Sequence, residues 1–381
     1  MTNTKERAEA VINLSNIEHN FLEIKRFTGN KKIICVIKAN AYGHGAAELG
    51  KLYEKLGADI LAVACIDEAL QLREAGIRTP VMILGPTPPE LAEVLSDNGI
   101  IQTVPSLEYA QHLDAVLREE NKKLSVHIKL DTGMTRLGIY AHKSHIEAAA
   151  NEAEKITKLT FLSSDGIFTH FSEAESEDTA FTEEQLDCFL RVVDILEKRG
   201  KTFEFCHCAN SAGVVNYKKA HLSCIRPGLI LYGLSPTERP VPGLDLRPAM
   251  TFRSRIADIR HIKKGDAISY NRRFTANRDM KIAVVSCGYG DGFHRTLSGK
   301  AACLIRGKRA PILGNICMDL FLADVSEIPE ASLFDEVVLF GAQNGEYISP
   351  DELSRLAGTI SYELLTSISK RVVRTYITDP A

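Results

Sequence analysis

The chain reads as an N-terminal (β/α)8 TIM-like barrel followed by a C-terminal mostly β domain, an α/β plus β organisation. Three observations predict it. Up to about Leu234, short apolar runs alternate with amphipathic stretches. Eight such strand–helix units over roughly 230 residues fit a closed barrel better than an open doubly wound sheet, although parallel strands do not by themselves prove closure. Then Pro236, Pro240, Pro242, Gly243 and Pro248 mark a boundary, beyond which the apolar segments alternate and become β-branched. The expected division is residues 1–236 for the barrel and 237–381 for the β-rich domain.

The strands fall near Ile33–Ala39, Ile60–Ala64, Val81–Leu84, Ile101–Thr103, Val126–Leu130, Gly166–Thr169, Phe205–Cys208 and Cys224–Arg226. Helix starts are signalled by Thr87-Pro88-Pro89-Glu90 and by Thr182 with Gln185, both at capping-box spacing; the second helix should stop at Gly200. Ser172–Thr179 is polar and reads as a surface loop. In the second domain, Thr251–Ile259, Ile282–Ser286, Ala310–Leu313 and Glu336–Phe340 read as strands, with turns at Lys264-Gly265-Asp266 and Gly288–Gly292.

Bulk properties exclude several classes. The net charge is −3 with no basic tract, which argues against nucleic acid as a partner. No apolar run reaches the ~20 residues of a membrane span, and the N-terminus lacks a signal-peptide core. The nine cysteines are an odd number spread through strand-like segments, so they read as reduced, buried thiols of a cytoplasmic protein. Cys206 and Cys208 flank His207, but no second pair lies at zinc-site spacing, so no metal is expected.

In a barrel the active site lies at the C-terminal strand ends. That rim here carries Lys38 and Tyr42, then Leu84-Gly85, then Lys129-Leu-Asp131-Thr-Gly-Met134-Thr-Arg136. It continues with His170, His207-Cys-Ala-Asn210-Ser211 and Arg226-Pro227-Gly228. The opposite rim shows mainly helix-ending glycines such as Gly57, Gly76 and Gly200. Singly, each polar residue has a bland reading: Lys38 as a charge capping a buried strand, His170 and His207 as satisfied core histidines, Arg136 as a surface charge. Together they suit a phosphorylated cofactor with an aldehyde. An amine that can become neutral forms imines, while Ser211 and the backbone N–H groups around Gly228 suit a phosphate. There is no Walker motif and no strand-to-helix G-x-G-x-x-G, and Gly288-Tyr-Gly-Asp-Gly292 reads as a turn rather than a nucleotide loop.

These residues resemble the alanine racemase family of fold-type III pyridoxal phosphate (PLP) enzymes. The resemblance rests on VIKANAYGHG (36–45), HIKLDTGMTRLG (127–138), HCANSAG (207–213), IRPGLILYGLSP (225–236), ISY (268–270), GYGDG (288–292), ICMD (316–319) and TISYE (359–363), in order over nearly the whole chain. It implies pyridoxal 5'-phosphate as cofactor, held covalently by Lys38, which then serves as base on one face of the substrate α-carbon. Tyr270 from a partner chain would serve the other face, in a head-to-tail homodimer. Tyr42, Ser211, Gly228, Leu229 and Tyr362 would bind the phosphate, with Leu84 and Asn210 also lining the cofactor. Arg226 would face the pyridine nitrogen, and His170 the ring. Arg136 and Met318 would hold the cofactor's phenolic oxygen and the substrate carboxylate, with Tyr289 beside the substrate. Lys129 matches a position often found as an N6-carboxylysine, whose charge would orient Arg136. The implied activity is interconversion of L- and D-alanine, supplying D-alanine for peptidoglycan.

Two departures bear on the substrate. Asn271-Arg272-Arg273 follows Tyr270 where the family usually begins with glycine, and Gly290 stands where alanine is common. A serine or broad-specificity racemase on the same scaffold is therefore the main alternative, since a small apolar pocket rejects one added hydroxyl by only about 10²-fold. A non-catalytic PLP-homeostasis barrel would typically lack the second domain. A basic-amino-acid decarboxylase would carry a glycine-rich phosphate loop and a reactive-cysteine motif not evident here.

Overall fold

The computed structural model describes residues 7–237 and 239–378. The chain begins with a strand, β1 (Glu9–Asn13). Eight strands build a parallel sheet: β2 (Lys32–Val36), β3 (Ile60–Val63), β4 (Val81–Ile83), β5 (Ile100–Val104), β6 (Leu124–Asp131), β7 (Leu162–Phe168), β8 (Phe205–His207) and β9 (Cys224–Ile225), with the two-residue strand Ile139–Tyr140 paired beside β6. Their order is β9-β2-β3-β4-β5-β6-β7-β8. The remaining seam, between β8 and β9, is bridged just past the strand ends, where Arg226 N–H donates to Ala209 O at 2.9 Å. The barrel is thus nearly closed, and strands such as Ile33–Val36 and Ile60–Val63 are buried along their whole length. Covered on both faces, they read as continuous apolar runs, which is why each was visible in the sequence.

Two helix starts differ from the capping-box expectation. Thr87 does not cap a helix: the turn begins after Pro88 with no side-chain cap, and Thr87 instead exchanges backbone hydrogen bonds with the Tyr109 hydroxyl. Thr182 lies inside the helix Ala180–Lys198, and Gln185 reaches out to accept from Ser172 N–H at 3.0 Å. That helix ends at Arg199, with Gly200 in the left-handed region at φ +77°. Residues 172–179 form the expected loop. Cys65 is exposed, and Cys206 and Cys317 are half-buried, so the expectation of buried thiols fails at these three.

The second sheet comprises β10 (Met250–Ile262), β11 (Met280–Val285), β12 (Ala302–Ile305), β13 (Lys308–Leu313), β14 (Phe321–Asp324), β15 (Glu336–Gln343), β16 (Glu346–Ile348) and β17 (Val373–Ile377), together with β1. Its order is β16-β15-β12-β13-β14-β11-β10-β1-β17, and β10 also pairs with β15, so part of the sheet closes on itself. Two short helices, Pro350–Ala357 and Ser361–Thr366, follow β16.

The chain separates into two units that are interleaved rather than cut at one point. Among the described residues, one holds residues 7–16, Tyr42–Gly45 and residues 248–378; the other holds Ile17–Ala41, residues 46–237 and residues 239–247. The first strand therefore belongs to the β-rich unit. β1 pairs antiparallel with β10 and parallel with β17, which places Glu9–Asn13 between β10 and the edge strand β17. No helix among the described residues is long and apolar enough to cross a membrane.

Candidate active site

In the barrel unit, β2 delivers Lys38 to the C-terminal rim. The backbone then turns left-handed: Ala39, Asn40 and Ala41 have φ/ψ near 51/51°, 54/47° and 53/52°, and Tyr42 follows at φ 51°. L-residues avoid this region at a cost of roughly 1–2 kcal/mol each. Specific hydrogen bonds hold it. Glu68 accepts from Ala39 N–H at 2.6 Å and from Ala64 N–H at 2.8 Å, and Asn40 Oδ1 accepts from Ala46 N–H at 2.9 Å. The sequence Lys-Ala-Asn-Ala supplies the small or polar side chains such a turn tolerates. Burial, reinforced by the charges of Arg136 and Arg226, pushes the Lys38 amine below its ordinary pKa.

Lys129 lies two residues before the end of β6 on the same rim, only 7% exposed, with its nitrogen 5.5 Å from the Phe168 ring centre. Burial comes first, then Arg226 and Arg136, in lowering its pKa to about 8. The nearby Asp131 carboxylate is already engaged: it accepts backbone N–H bonds from Gly133, Thr135 and Arg136 at 3.0, 2.9 and 2.8 Å. Those bonds shape the loop that presents Arg136, whose side chain is exposed.

Arg226 is buried and organises three histidines. Its Nη1 donates to His207 Nδ1 at 2.6 Å, and its Nη2 to Thr169 O at 2.9 Å and His170 Nδ1 at 3.0 Å. Arginine has no acceptor, so both imidazoles must accept at Nδ1 and carry their proton on Nε2. Burial and the Arg226 charge hold both histidines well below the usual imidazole range, hence neutral. His207 Nε2 faces His127 Nδ1 at 3.0 Å.

Beyond β8, the Asn210 side chain accepts from Gly213 N–H at 2.8 Å and starts the short helix Ser211–Asn216. The Ser211 hydroxyl is buried where the backbone N–H groups of Gly228 and Ile230 converge on it, at 2.9 and 3.4 Å. Leu229 is buried beside them, and Leu84 is half-buried at the end of β4. The barrel unit thus brings Lys38, Lys129, Arg136, His170 and Arg226 within electrostatic reach of one another.

The β-rich unit gathers the rest. Tyr270 is 67% exposed and Met318 54% exposed, and both line one open cleft of about 410 Å³ with Ser269, Cys317, Asp319 and Leu320. Asn315 braces the tyrosine by donating to Tyr270 O at 2.9 Å. The departure after Tyr270 has a backbone explanation. Asn271 sits at φ 60°, where asparagine is the best tolerated residue after glycine. Tyr289 is exposed, and Tyr42 packs against Tyr362 with ring centres 5.8 Å apart.

Gly290 also has a local reason. Its N–H donates to Met318 O at 2.9 Å, and a Cβ there would lie 2.5 Å from Arg371 Nη2. Arg371 binds the buried Asp291 at 2.7 Å, Asp319 at 2.9 Å and Met318 O at 3.3 Å. Arg371 was not singled out from the sequence, and neither was His127. A lone arginine near the C-terminus carries no local signal. A strand histidine in a buried run is visible as an oddity, but nothing local names its partner.

The class defined by this fold and rim is a β/α-barrel protein with an appended β domain and a polar site of amines, arginines and neutral imidazoles at the strand ends. Comparison with known proteins makes this specific. Residues 12–236 match the family described as alanine racemase, N-terminal domain, and residues 249–376 match alanine racemase, C-terminal domain. Alanine racemase 2 of Caldanaerobacter subterraneus subsp. tengcongensis is 41% identical over 367 residues, 96% of this chain and 94% of that one. The alanine racemase of Clostridium tetani is 40% identical over 372 residues, 97% and 95% of the two chains. Among solved structures, alanine racemase of Clostridium difficile 630 superposes with a TM-score of 0.91 at 36% identity, covering 98% of this chain and 96% of that one. Alanine racemase of Bartonella henselae, solved with covalently bound pyridoxal phosphate, has a TM-score of 0.87 at 28% identity, covering 97% and 99%. The chain belongs to the alanine racemase family.

Proposed function

We propose that the protein is a PLP-dependent racemase that interconverts L- and D-alanine with two bases, Lys38 and Tyr270 of a partner subunit. The observation that carries this reading is the Lys38 amine at the rim of the barrel, whose pKa is lowered by burial and then by the charges of Arg136 and Arg226. A neutral amine can both condense with an aldehyde and accept a proton.

The residues present fit the cofactor. The Ser211 hydroxyl and the convergent Gly228 and Ile230 N–H groups offer hydrogen bonds to a phosphate. Tyr42, Leu229 and Tyr362 complete that set in our reading, and Leu84 and Asn210 line the ring side. When bound, the pyridine ring withdraws electrons from the substrate α-carbon and acidifies its C–H bond. Arg226 would donate to the ring nitrogen and, staying protonated itself, leave that nitrogen unprotonated. That limits electron withdrawal and disfavours transamination. Arg136 and the Met318 backbone would hold carboxylate and phenolic oxygens, with Tyr289 beside them.

The two bases need no rearrangement between them: one removes the α-proton from one face and the other delivers to the opposite face. A tyrosine hydroxyl is ordinarily too weak a base at neutral pH, with a pKa near ~10. His170, with its proton fixed on Nε2 by Arg226, would offer that hydroxyl a hydrogen-bond donor. The exposed Tyr270, Met318 and Leu320 of the β-rich unit line one open cleft, an apolar face suited to a second copy of this chain. Lys129 is proposed as an N6-carboxylysine. Its lowered pKa leaves a reactive fraction of neutral amine, which adds to CO2 with loss of a proton, and the new anion relieves the repulsion among Lys129, Arg136 and Arg226. Keeping Tyr362 and Met318, the latter with its carbonyl braced by Arg371, fits a tight pocket and favours alanine.

Deuterium exchange at Cα, measured on L-alanine, L-serine and L-lysine with PLP-loaded enzyme, tests the reading. Fastest exchange and racemisation on alanine are expected. Faster turnover of serine or lysine would transfer the assignment to a broader racemase, and exchange without racemisation would remove the two-base mechanism.

A further inference from the structure

The N-terminal mouth of the barrel, opposite the rim described above, holds a cavity of about 500 Å³. It is lined by strand-starting residues, including Ile60, Ile100, Ser125, Asp165 and Phe205, and it is reached from inside the barrel by His127. His127 is fully buried, and its Nε2 has no hydrogen-bond partner among the described residues.

The local backbone makes room for this imidazole. His127 pairs with Gly166 across β6 and β7, and a Cβ on Gly166 would lie 2.5 Å from the ring. One residue earlier the register slips: Val126 pairs with Ser164, leaving Asp165 as the extra residue of a β-bulge. Bulges re-aim side chains, and here Asp165 accepts from the Ser125 and Ser163 hydroxyls at the cavity wall. The Phe205 ring stacks on the imidazole with centres 5.5 Å apart. A glycine, a bulge and a stacked ring together fix one buried histidine.

Hydrogen-bond direction follows from Arg226. It can only donate, so His207 accepts at Nδ1 and donates from Nε2. His127 must then accept at Nδ1 and carry its proton on Nε2, the buried nitrogen left without a partner among the described residues. Donors therefore point in one sense from the cofactor-facing arginine to the far mouth, and the last N–H requires an acceptor oxygen.

We propose that His127 is a positioning residue: it takes an ordered water at the N-terminal mouth, held also by Asp165, and thereby fixes His207 and the Arg226 guanidinium from behind. The functional consequence rests on the assignment of Arg226 to the cofactor ring; the hydrogen-bond order does not. Both rings staying neutral suits the role, since burial, then the Arg226 charge, lowers the His127 pKa to about 3.

The test uses ¹⁵N-histidine NMR of the apoenzyme and holoenzyme, with His127→Asn and His127→Leu. Asparagine keeps an acceptor near the Nδ1 position; leucine keeps bulk but no acceptor. In the wild type, His127 and His207 should both be Nε2–H tautomers and should not titrate between about pH 5 and 8. His127→Leu should shift the His207 resonances and lower kcat by about tenfold with KM within twofold. That loss is the scale expected for a buried donor left without its acceptor. His127→Asn should recover most of it, and Gly166→Ala, which displaces the ring, should resemble His127→Leu. A His207 proton on Nδ1, a titrating His127, or equal kcat for the Asn and Leu variants would overturn the proposal. Because the tautomers are read in the apoenzyme, a wrong cofactor assignment would leave that result intact and remove only the kcat effect. If His127→Leu fails to fold, the wild-type tautomers still decide.

Discussion

The left-handed turn after Lys38 makes a quantitative prediction. Ala39 is exposed and sits at φ 51°, ψ 51°. Replacing it with glycine removes a conformational cost of roughly 1–2 kcal/mol. The same change adds about 0.4–1 kcal/mol of unfolded-chain entropy that folding must overcome. No packing is lost at an exposed methyl, so Ala39→Gly should stabilise the protein by about 0.5–1 kcal/mol. Ala41, in the same conformation but fully buried, provides the contrast. There the glycine also removes a buried methyl worth ~0.8 kcal/mol, which cancels the gain. Ala39→Val should destabilise by about 1.5 kcal/mol or more, because a branched Cβ is worst placed in this region. Urea unfolding of the three variants reads these values directly. Strain of this kind persists where function requires it, so Ala39→Gly should also lower kcat severalfold by loosening the carrier of Lys38. A loss of stability beyond about 0.5 kcal/mol in Ala39→Gly would refute the strain argument. A gain in stability with unchanged kcat would separate the strain from the catalytic role.

Further predictions concern the same rim and the β-rich unit. Lys38→Ala should abolish both racemisation and the visible absorbance that follows condensation of PLP with the enzyme. Because the Lys129 pKa is lowered in the folded state to about 8, the unfolded chain binds more protons between there and its ordinary value; stability should therefore rise with pH across about pH 8 to 10.5 and fall as pH drops back through 8. Lys129→Met should remove that part of the slope, and bicarbonate should suppress it in the wild type, as read by thermal unfolding across pH. Arg371→Ala should raise KM for alanine severalfold and destabilise by about 1–2 kcal/mol. It removes one partner of the buried Asp291, which still keeps Arg7 and the Gly288 N–H.

What the sequence revealed and what it hid have physical causes. Strands such as Ile33–Val36 and Ile60–Val63 are buried on both faces, so each reads as an unbroken apolar run that no solvent-facing pattern obscures. The rim residues were legible because barrel geometry assigns strand ends to one face. β1 was not, since its place between β10 and β17 depends on residues more than two hundred positions away. Thr87 and Thr182 carried capping-box spacing, but tertiary partners, the Tyr109 hydroxyl and the Ser172 backbone, claimed the groups that capping would have used. The Asp165 bulge and the His127–Gly166 pairing are properties of register between two strands, which no single segment encodes. Asn271 shows the converse: a departure from the family pattern that resolves once its φ of 60° is known.

The central claim is that racemisation uses two bases contributed by different chains. The most direct measurement mixes Lys38→Ala and Tyr270→Phe proteins, each nearly inactive alone, and follows alanine racemisation after subunit exchange. One intact site per mixed dimer predicts recovery toward a quarter of wild-type activity at equal, random mixing. No recovery, with exchange demonstrated by differently tagged chains, would place both bases in a single chain and contradict the account.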